Sequence, residues 1–445
     1  MSRWLLLVGL AWCALRVAQA GPVALIEIDG PIGPASSSQV SAARERAAAM
    51  GASAIVLRLD TPGGLDGSMR DIVKDILSSP VPFVCWVGPA GARAASAGTY
   101  ILYACSLAAM APGTNLGAAT PVPLGGSWPA SRGSEAQSRP TDAGERKAVN
   151  DAVAYLRSLA ERRGRNADWA EDAVRTGASL SATQALERHV IDEMAPAIDE
   201  LLRKIDGRTV DTPRGAVTLA TAGAELRRLE PGWRLELLAV LSNPTVAYLL
   251  LLVGIYGLLL EGYNPGAILP GVVGAISLLL AGYALQMLPV NYAGLALIVL
   301  GVGMLVGEAF APSFGLLGIG GIVAFVFGSV LLMDTGVPGY EVNLGVIAGI
   351  AVSAVAMLAV LLMLFRRARR ARIATGAEAL LGASVLALEP IETEGWAEFQ
   401  GERWRVRSTA PLRTGERARV LARDGLILEV EPDASAPATQ PTPRR

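Results

Sequence analysis

Between Asn243 and Arg366 the chain is almost wholly apolar, and this block constrains the rest of the fold. Lipid offers no water to backbone amides, so only helices or a closed barrel can carry such a stretch across a membrane. The block divides into five spans near 245–261, 266–288, 291–309, 315–333 and 343–365, separated by Pro, Gly and Asn. Each is about long enough for a bilayer. Composition agrees, because 52% apolar and 18% charged residues in a chain of 445 is too poor in charge for a wholly soluble protein. Disorder, collagen and a disulfide scaffold are excluded on the same grounds. A net charge of −1 gives no pull toward nucleic acid. One His and three Cys leave little for a metal site or a His-centred triad, so neither metal nor cofactor is expected.

Residues 1–20 carry Arg3, an apolar core and Ala18-Gln19-Ala20, the pattern of a secretory signal peptide cleaved before Gly21. Bulky Trp12 ahead of Cys13 argues against a lipoprotein site. After the last span comes Arg366-Arg367-Ala368-Arg369-Arg370-Ala371-Arg372, whereas the connection 334–343 holds acids and no basic residue. A translocated N-terminus followed by five spans leaves the Arg cluster inside, as the positive-inside rule requires. The expectation is a multi-pass protein of the cell (inner) membrane. Its N-terminal domain is extracytoplasmic and its C-terminal domain cytoplasmic.

The membrane block repeats itself at an offset of 47: Gly254, Glu261, Pro265, Leu269, Gly271 and Gly274 recur as Gly301, Glu308, Pro312, Leu316, Gly318 and Gly321. Each unit reads as a helix ending at a Glu, a Pro-marked turn and a Gly-rich helix suited to close packing. Intramembrane acids are often ion ligands. Glu261 and Glu308 sit at span ends beside turns, which favours a structural role and disfavours a transporter.

Residues 22–206 alternate short apolar strands (23–28, 55–59, 83–87) with helical patterns near 67–78, 96–105 and 145–163, an α/β domain with a core sheet and crossover helices. The strand 55–59 runs into Asp60-Thr61-Pro62-Gly63-Gly64, where a Gly pair lets backbone N–H groups gather a negative oxygen. The next strand leads through a small-residue segment to Ser96, at the start of a helix. Free N–H groups there favour developing negative charge. Taken alone, the segment favours the plainer role of an N-cap in a Gly/Ala-packed corner.

A serine nucleophile needs a base. His189 follows the helical region in a short apolar stretch and reads as a surface or core residue. Only three of the 39 basic residues are lysines, Lys74, Lys147 and Lys204. Lys147 opens a helical stretch after a Gly/Ser/Pro-rich segment, 121–144, and is the better candidate. A lysine acts as base only as a neutral amine, which an arginine cannot supply. Lys74 lies beside Asp71 and Asp75 as a solvated pair, and Lys204 reads as a surface residue. Cys85 and Cys105 have two open readings, a pair or two buried thiols.

The segments Leu59-Asp60-Thr61-Pro62-Gly63-Gly64, Ala94-Ala95-Ser96-Ala97-Gly98-Thr99-Tyr100 and Met110-Ala111-Pro112-Gly113-Thr114-Asn115-Leu116-Gly117-Ala118 resemble the membrane-bound NfeD family in its long form. Lys147-Ala148-Val149-Asn150, followed by Ala154-Tyr155-Leu156-Arg157-Ser158-Leu159-Ala160, is similar to the stretch that holds the family's catalytic Lys. The resemblance spans essentially the whole chain. It implies an α/β ClpP/crotonase-like protease domain with a Ser–Lys dyad, Ser96 as nucleophile and Lys147 as general base, and an oxyanion hole from the N–H groups of Gly64 and Ala97. The region 119–123, where ClpP carries its His, has none. Signal-peptide peptidase A shares the broad fold and the dyad, but its duplicated architecture lacks a multi-span block.

Residues 207–243 read as a hairpin at 211–215 followed by an amphipathic helix over 224–241, with Trp233 and Arg234 at the membrane surface. Five short strands within 373–432 suggest a small all-β OB-like barrel, similar to the NfeD C-terminal domain. Trp396, Phe399 and Trp404 are interleaved with Glu, which favours protein contact over nucleic acid. The expected order is a signal peptide (1–20), a protease domain (21–206), a linker (207–243), a multi-span α-helical membrane block (244–365), the barrel (373–432) and a disordered tail (433–445). The resemblance implies a membrane-anchored serine endopeptidase that cuts apolar segments of a stomatin-like membrane protein. Its contacts would be that partner, the lipid bilayer and a second copy in a homodimer or larger assembly. The alternative is a non-catalytic scaffold organising stomatin-like proteins.

Overall fold

A computed structural model of the chain describes residues 21–122, 143–264, 266–311, 313–333, 336–337, 339–370 and 380–433. The expected signal peptide, most of the segment 121–144, Pro265, Pro312, Arg372 and all of the tail but Asp433 lie outside the described residues.

The N-terminal domain runs β1 (Val23–Asp29), α1 (Pro34–Ala49), β2 (Ala54–Asp60), α2 (Asp66–Ser78), β3 (Phe83–Val87), β4 (Arg93–Ala95), α3 (Ala97–Ala104), β5 (Leu107–Met110) and β6 (Asn115–Gly117). It continues with α4 (Ala143–Arg163), α5 (Ala167–Arg175), β7 (Ser179–Ser181), α6 (Ala182–Glu187), β8 (Glu193–Met194), α7 (Ile198–Ile205), a hairpin of β9 (Thr209–Thr212) and β10 (Gly215–Thr218), and β11 (Leu226–Arg228). Six strands form a parallel sheet in the order β11-β1-β2-β3-β5-β8, and β4-β6-β7 form a second, smaller sheet. This is the ClpP/crotonase-like α/β fold. Strands β1, β2 and β3 are apolar on both faces because helices cover both sides, as a parallel sheet demands.

Two elements differ from the sequence pattern. The Ala- and Ser-rich stretch of α1 presents only Val40, Ala43 and Ala47 to the core, too weak an apolar stripe to stand out. The helix expected over 224–241 is shorter: β11 joins the sheet beside β1, Pro231-Gly232 interrupts, and α8 covers only Trp233–Leu241. Trp233, Leu237 and Val240 are exposed along one side of α8.

Cys85 and Cys105 form a disulfide that ties β3 to the C-terminal end of α3 across a sequence separation of 20. Closing a loop of this length constrains the unfolded chain by about 3 kcal/mol. Pulse proteolysis in urea should therefore find the N-terminal domain of a Cys85→Ala, Cys105→Ala protein less stable by about that amount.

The membrane block contains α9 (Pro244–Tyr263), α10 (Ile268–Met287), α11 (Tyr292–Phe310), α12 (Leu316–Leu332) and α13 (Leu344–Arg370). Three of these, α9 to α11, are long and apolar enough to cross a membrane by length and composition; the apolar parts of α12 and α13 are shorter. The sequence repeat is a packing repeat. A Cβ on Gly274 would lie 3.0 Å from the Gly254 carbonyl oxygen, and one on Gly321 would lie 2.8 Å from that of Gly301, so only glycine lets these backbones touch. Glu261 accepts the Gly271 N–H at 3.0 Å. Glu308, buried, accepts the N–H groups of Ser313, Gly315 and Gly318 and the Ser313 hydroxyl. Both carboxylates thus cap the helix after the turn, a structural task.

The C-terminal unit holds β12 (Ser384–Ala387), β13 (Glu394–Phe399), β14 (Glu402–Ser408), β15 (Arg417–Asp424) and β16 (Ile427–Pro432) as a closed barrel in the order β12-β13-β14-β16-β15. Val385, Ala397, Val406, Val420, Leu428 and Val430 fill its centre.

Candidate active site

Parallel sheets place ligands at the carboxyl ends of their strands. Here the loops after β1, β2 and β3 meet. Thr61, fully buried, fixes the loop after β2: its hydroxyl accepts the Gly63 N–H and donates to the Gly63 carbonyl, both at 3.1 Å. The Thr61 N–H donates to the Arg93 carbonyl at 2.7 Å and its own carbonyl accepts the Ala95 N–H at 3.0 Å, joining this loop to β4. Strand β4 delivers the chain to Ser96.

Ser96 is the N-cap of α3, half-buried, at φ 50° and ψ −115°. A non-glycine residue in such a conformation costs about 1–3 kcal/mol and persists only when its surroundings hold it. They do so here. The Ser96 N–H donates to the Gly117 carbonyl at 2.8 Å, and its carbonyl accepts the Thr99 N–H at 2.9 Å. Thr99, also buried, sets its hydroxyl among the Ala94 and Gly117 carbonyls and the Gly117 N–H.

The Gly pair lies against this corner. Gly63 has φ +118°, and a Cβ there would be 2.7 Å from the Ser96 Cβ and 3.1 Å from its Oγ. Gly64 has φ +157°, and a Cβ there would overlap the Ile32 backbone. Gly63→Ala should therefore push the Ser96 side chain aside. A displacement near 1 Å can cost about 100-fold in rate, so peptide hydrolysis should fall at least that far in a protein that still folds.

Ala97 opens α3, so its N–H has no intrahelical acceptor. Among the described residues neither it nor the Gly64 N–H donates to a protein acceptor. Ser96, Gly64 and Ala97 border one cavity of 130 Å³, with Leu65, Met69 and Tyr100 also in its wall. Burial pushes the Tyr100 phenol well above its ordinary pKa, so it stays protonated and donates to the Ala119 carbonyl at 3.2 Å. Arg70 stands at the rim, hydrogen-bonded to Asp66 at 2.8 Å and Asp151 at 2.7 Å, with its guanidinium 4.6 Å from the centre of the Tyr155 ring. Burial pulls its pKa down, but the two carboxylates outweigh this and hold it above the ordinary arginine value.

Of the residues singled out by sequence, Ser96, Gly64 and Ala97 border one cavity, and Lys147 is not among the described residues of its wall. Lys147 is exposed near the start of α4, and among the described residues no hydrogen bond joins it to Ser96. Ala152, five residues on and about 140° around the helix, lines the cavity instead. His189 is exposed in the turn after α6 and does not border the cavity. Thr61, Thr99 and Gly117 hold the site although sequence reading gave them no role. Their signal was membership of the same three motifs, but the bonds among them connect segments that only folding brings together.

Three family models match the chain: NfeD1b, N-terminal domain over residues 22–212, NfeD integral membrane domain over 245–364, and NfeD-like C-terminal, partner-binding domain over 377–432. The membrane-bound protease PH1510 of Pyrococcus horikoshii is 36% identical over 390 residues, covering 85% of this chain and 86% of that protein. Membrane protein NfeD1b of Bacillus subtilis is 29% identical over 289 residues, covering 61% of this chain and 59% of its own length. Among solved structures, a lysine-to-alanine variant of the 1510-N membrane-bound stomatin-specific protease, in complex with a substrate peptide, is 37% identical with a TM-score of 0.44. It covers 50% of this chain and 98% of that one. With all three parts matched and a relative shared over most of both chains, this protein belongs to the NfeD family.

Proposed function

We propose that this chain is a membrane-anchored serine endopeptidase. Ser96 attacks the scissile carbonyl, the N–H groups of Gly64 and Ala97 stabilise the oxyanion, and Lys147 is the general base. The observation that carries this reading is Ser96 itself, held at positive φ on a helix N-terminus with its Oγ beside a Gly turn and two uncommitted N–H donors. Each such donor is worth about 3–4 kcal/mol of transition-state stabilisation. The relationship to a membrane-bound protease supports the same chemistry. Asp151, one turn after Lys147 on the same face of α4, bonds Arg70 at the cavity rim, which supports a base approaching from this helix.

A stomatin-like membrane protein is the proposed substrate or partner, since a related protease is described as stomatin-specific. The domain at 21–206 faces the extracytoplasmic side and the barrel the cytoplasm, a reading supported by the disulfide and by the Arg-rich segment after the last span. The exposed position of Lys147 favours the second reading, a scaffold without catalysis. Incubating the full-length protein in detergent micelles with an apolar peptide separates the two. Cleavage lost in Ser96→Ala supports the peptidase, and no cleavage by any form supports the scaffold.

A further inference from the structure

Among the described residues, the wall of the Ser96 cavity contains one from outside the N-terminal domain. Val337, in the connection between α12 and α13, borders the same cavity as Ser96, Gly64 and Ala97. It is buried, and Leu65 packs against the cluster of membrane-block residues to which Val337 and Tyr340 belong. The contact is built from several directions. The Tyr340 hydroxyl donates to the Ile32 carbonyl at 3.1 Å, across 308 residues of sequence. Burial raises the Tyr340 phenol to about 12, so the proton needed for that bond is present throughout the physiological range. A side chain on Gly339 would overlap Pro31, and a Cβ on Gly336 would lie 3.0 Å from Val122. Both glycines have positive φ, a conformation that favours glycine at these two close contacts.

Size gives the contact a consequence. The cavity holds 130 Å³, whereas sites for drug-sized ligands run to about 300–1,000 Å³. A peptide therefore cannot be enclosed at full length. What the cavity can take is one small side chain beside the reacting carbonyl.

We propose that the membrane block sets the specificity of the peptidase: Val337 is the wall that limits the side chain accepted next to Ser96, and Tyr340 is the positioning residue that fastens this wall to Ile32. The substrate class is peptides with a small apolar residue at that position. The proposal rests on the assignment of Ser96 as nucleophile, so its test must separate the two.

The test uses the full-length protein in detergent micelles and peptidyl diphenyl phosphonates that differ only in the side chain meant for the cavity, alanine or phenylalanine. Attack by the Ser96 Oγ forms a P–O bond and releases phenol, and the readout is the ratio of labelling rates for the two probes. The wild type should favour alanine. Removing methyl groups from an apolar pocket changes discrimination by about tenfold or more, so Val337→Ala should move the ratio toward phenylalanine by that factor and Val337→Ile should move it the other way. Tyr340→Phe keeps the ring and removes only the bond to Ile32, and it should shift the ratio in the same sense as Val337→Ala. A variant that merely folds poorly slows both probes and leaves the ratio unchanged, and opposite shifts in two variants cannot arise in that way. Labelling of Ser96 with one ratio in all four proteins overturns the proposal and leaves the nucleophile standing. No labelling of Ser96 in any of them overturns both.

Discussion

Replacing Ser96 with alanine is expected to lower the rate of peptide cleavage by on the order of 10⁴- to 10⁶-fold, the loss found when a serine nucleophile is removed from a working constellation. The fold should survive. Ser96 is held through its backbone, by its N–H on the Gly117 carbonyl and its own carbonyl under the Thr99 N–H, and alanine keeps both bonds. Serine and alanine also meet the same steric cost at this positive φ, so the substitution adds no strain. The measurement is single-turnover cleavage of an apolar peptide by wild type and variant, with circular dichroism confirming equal secondary structure. Equal rates would remove the peptidase reading and leave the scaffold.

The second large effect is expected at Lys147, where arginine should be as damaging as alanine. Loss of a general base typically costs about 10²- to 10⁴-fold, and a guanidinium cannot give up its proton to take the base's role. Arginine is about as good a helix former as lysine, and the side chain is exposed, so Lys147→Arg leaves α4 intact. A charge or packing role for Lys147 would be rescued by arginine, whereas a neutral-amine role would not. Substantial cleavage by Lys147→Arg would therefore contradict the dyad. Loss in both variants would support the neutral-amine role.

These expectations hang on a site whose parts were unequally visible in the sequence. Ser96 and Gly64 stood out because the chemistry of a backbone-lined corner needs a Gly turn after one strand and a small-residue approach to a helix after the next, both local patterns. Thr61 and Thr99 looked like ordinary loop and helix residues. Their hydroxyls matter only because β4, β6 and the loop after β2 converge, and no local pattern encodes that convergence. The helix α1 was missed for a different reason: alanine and serine form helices without a strong apolar stripe. The linker departs from its pattern because Leu interleaved with Glu and Arg after residue 224 reads as an amphipathic helix until Pro231-Gly232 is given its weight.

The membrane block behaved otherwise. Its 47-residue repeat was legible residue by residue, and the hairpins it encodes share the same close glycine contacts and the same carboxylate on the next helix N-terminus. Helices in such a block must satisfy their backbones within themselves, so the local sequence nearly determines each element.

The sequence by itself determined that this chain enters a membrane, that an α/β domain precedes the apolar block and a small barrel follows it, and that a serine sits where a helix begins. Those features depend on composition and short-range periodicity, which act over a few residues. Only the tertiary structure decided that Val337, from a connection between membrane helices, borders the cavity beside Ser96 and that Tyr340 reaches the Ile32 carbonyl. Such contacts join residues hundreds of positions apart, and they are set by how finished elements pack rather than by the preferences of any one segment.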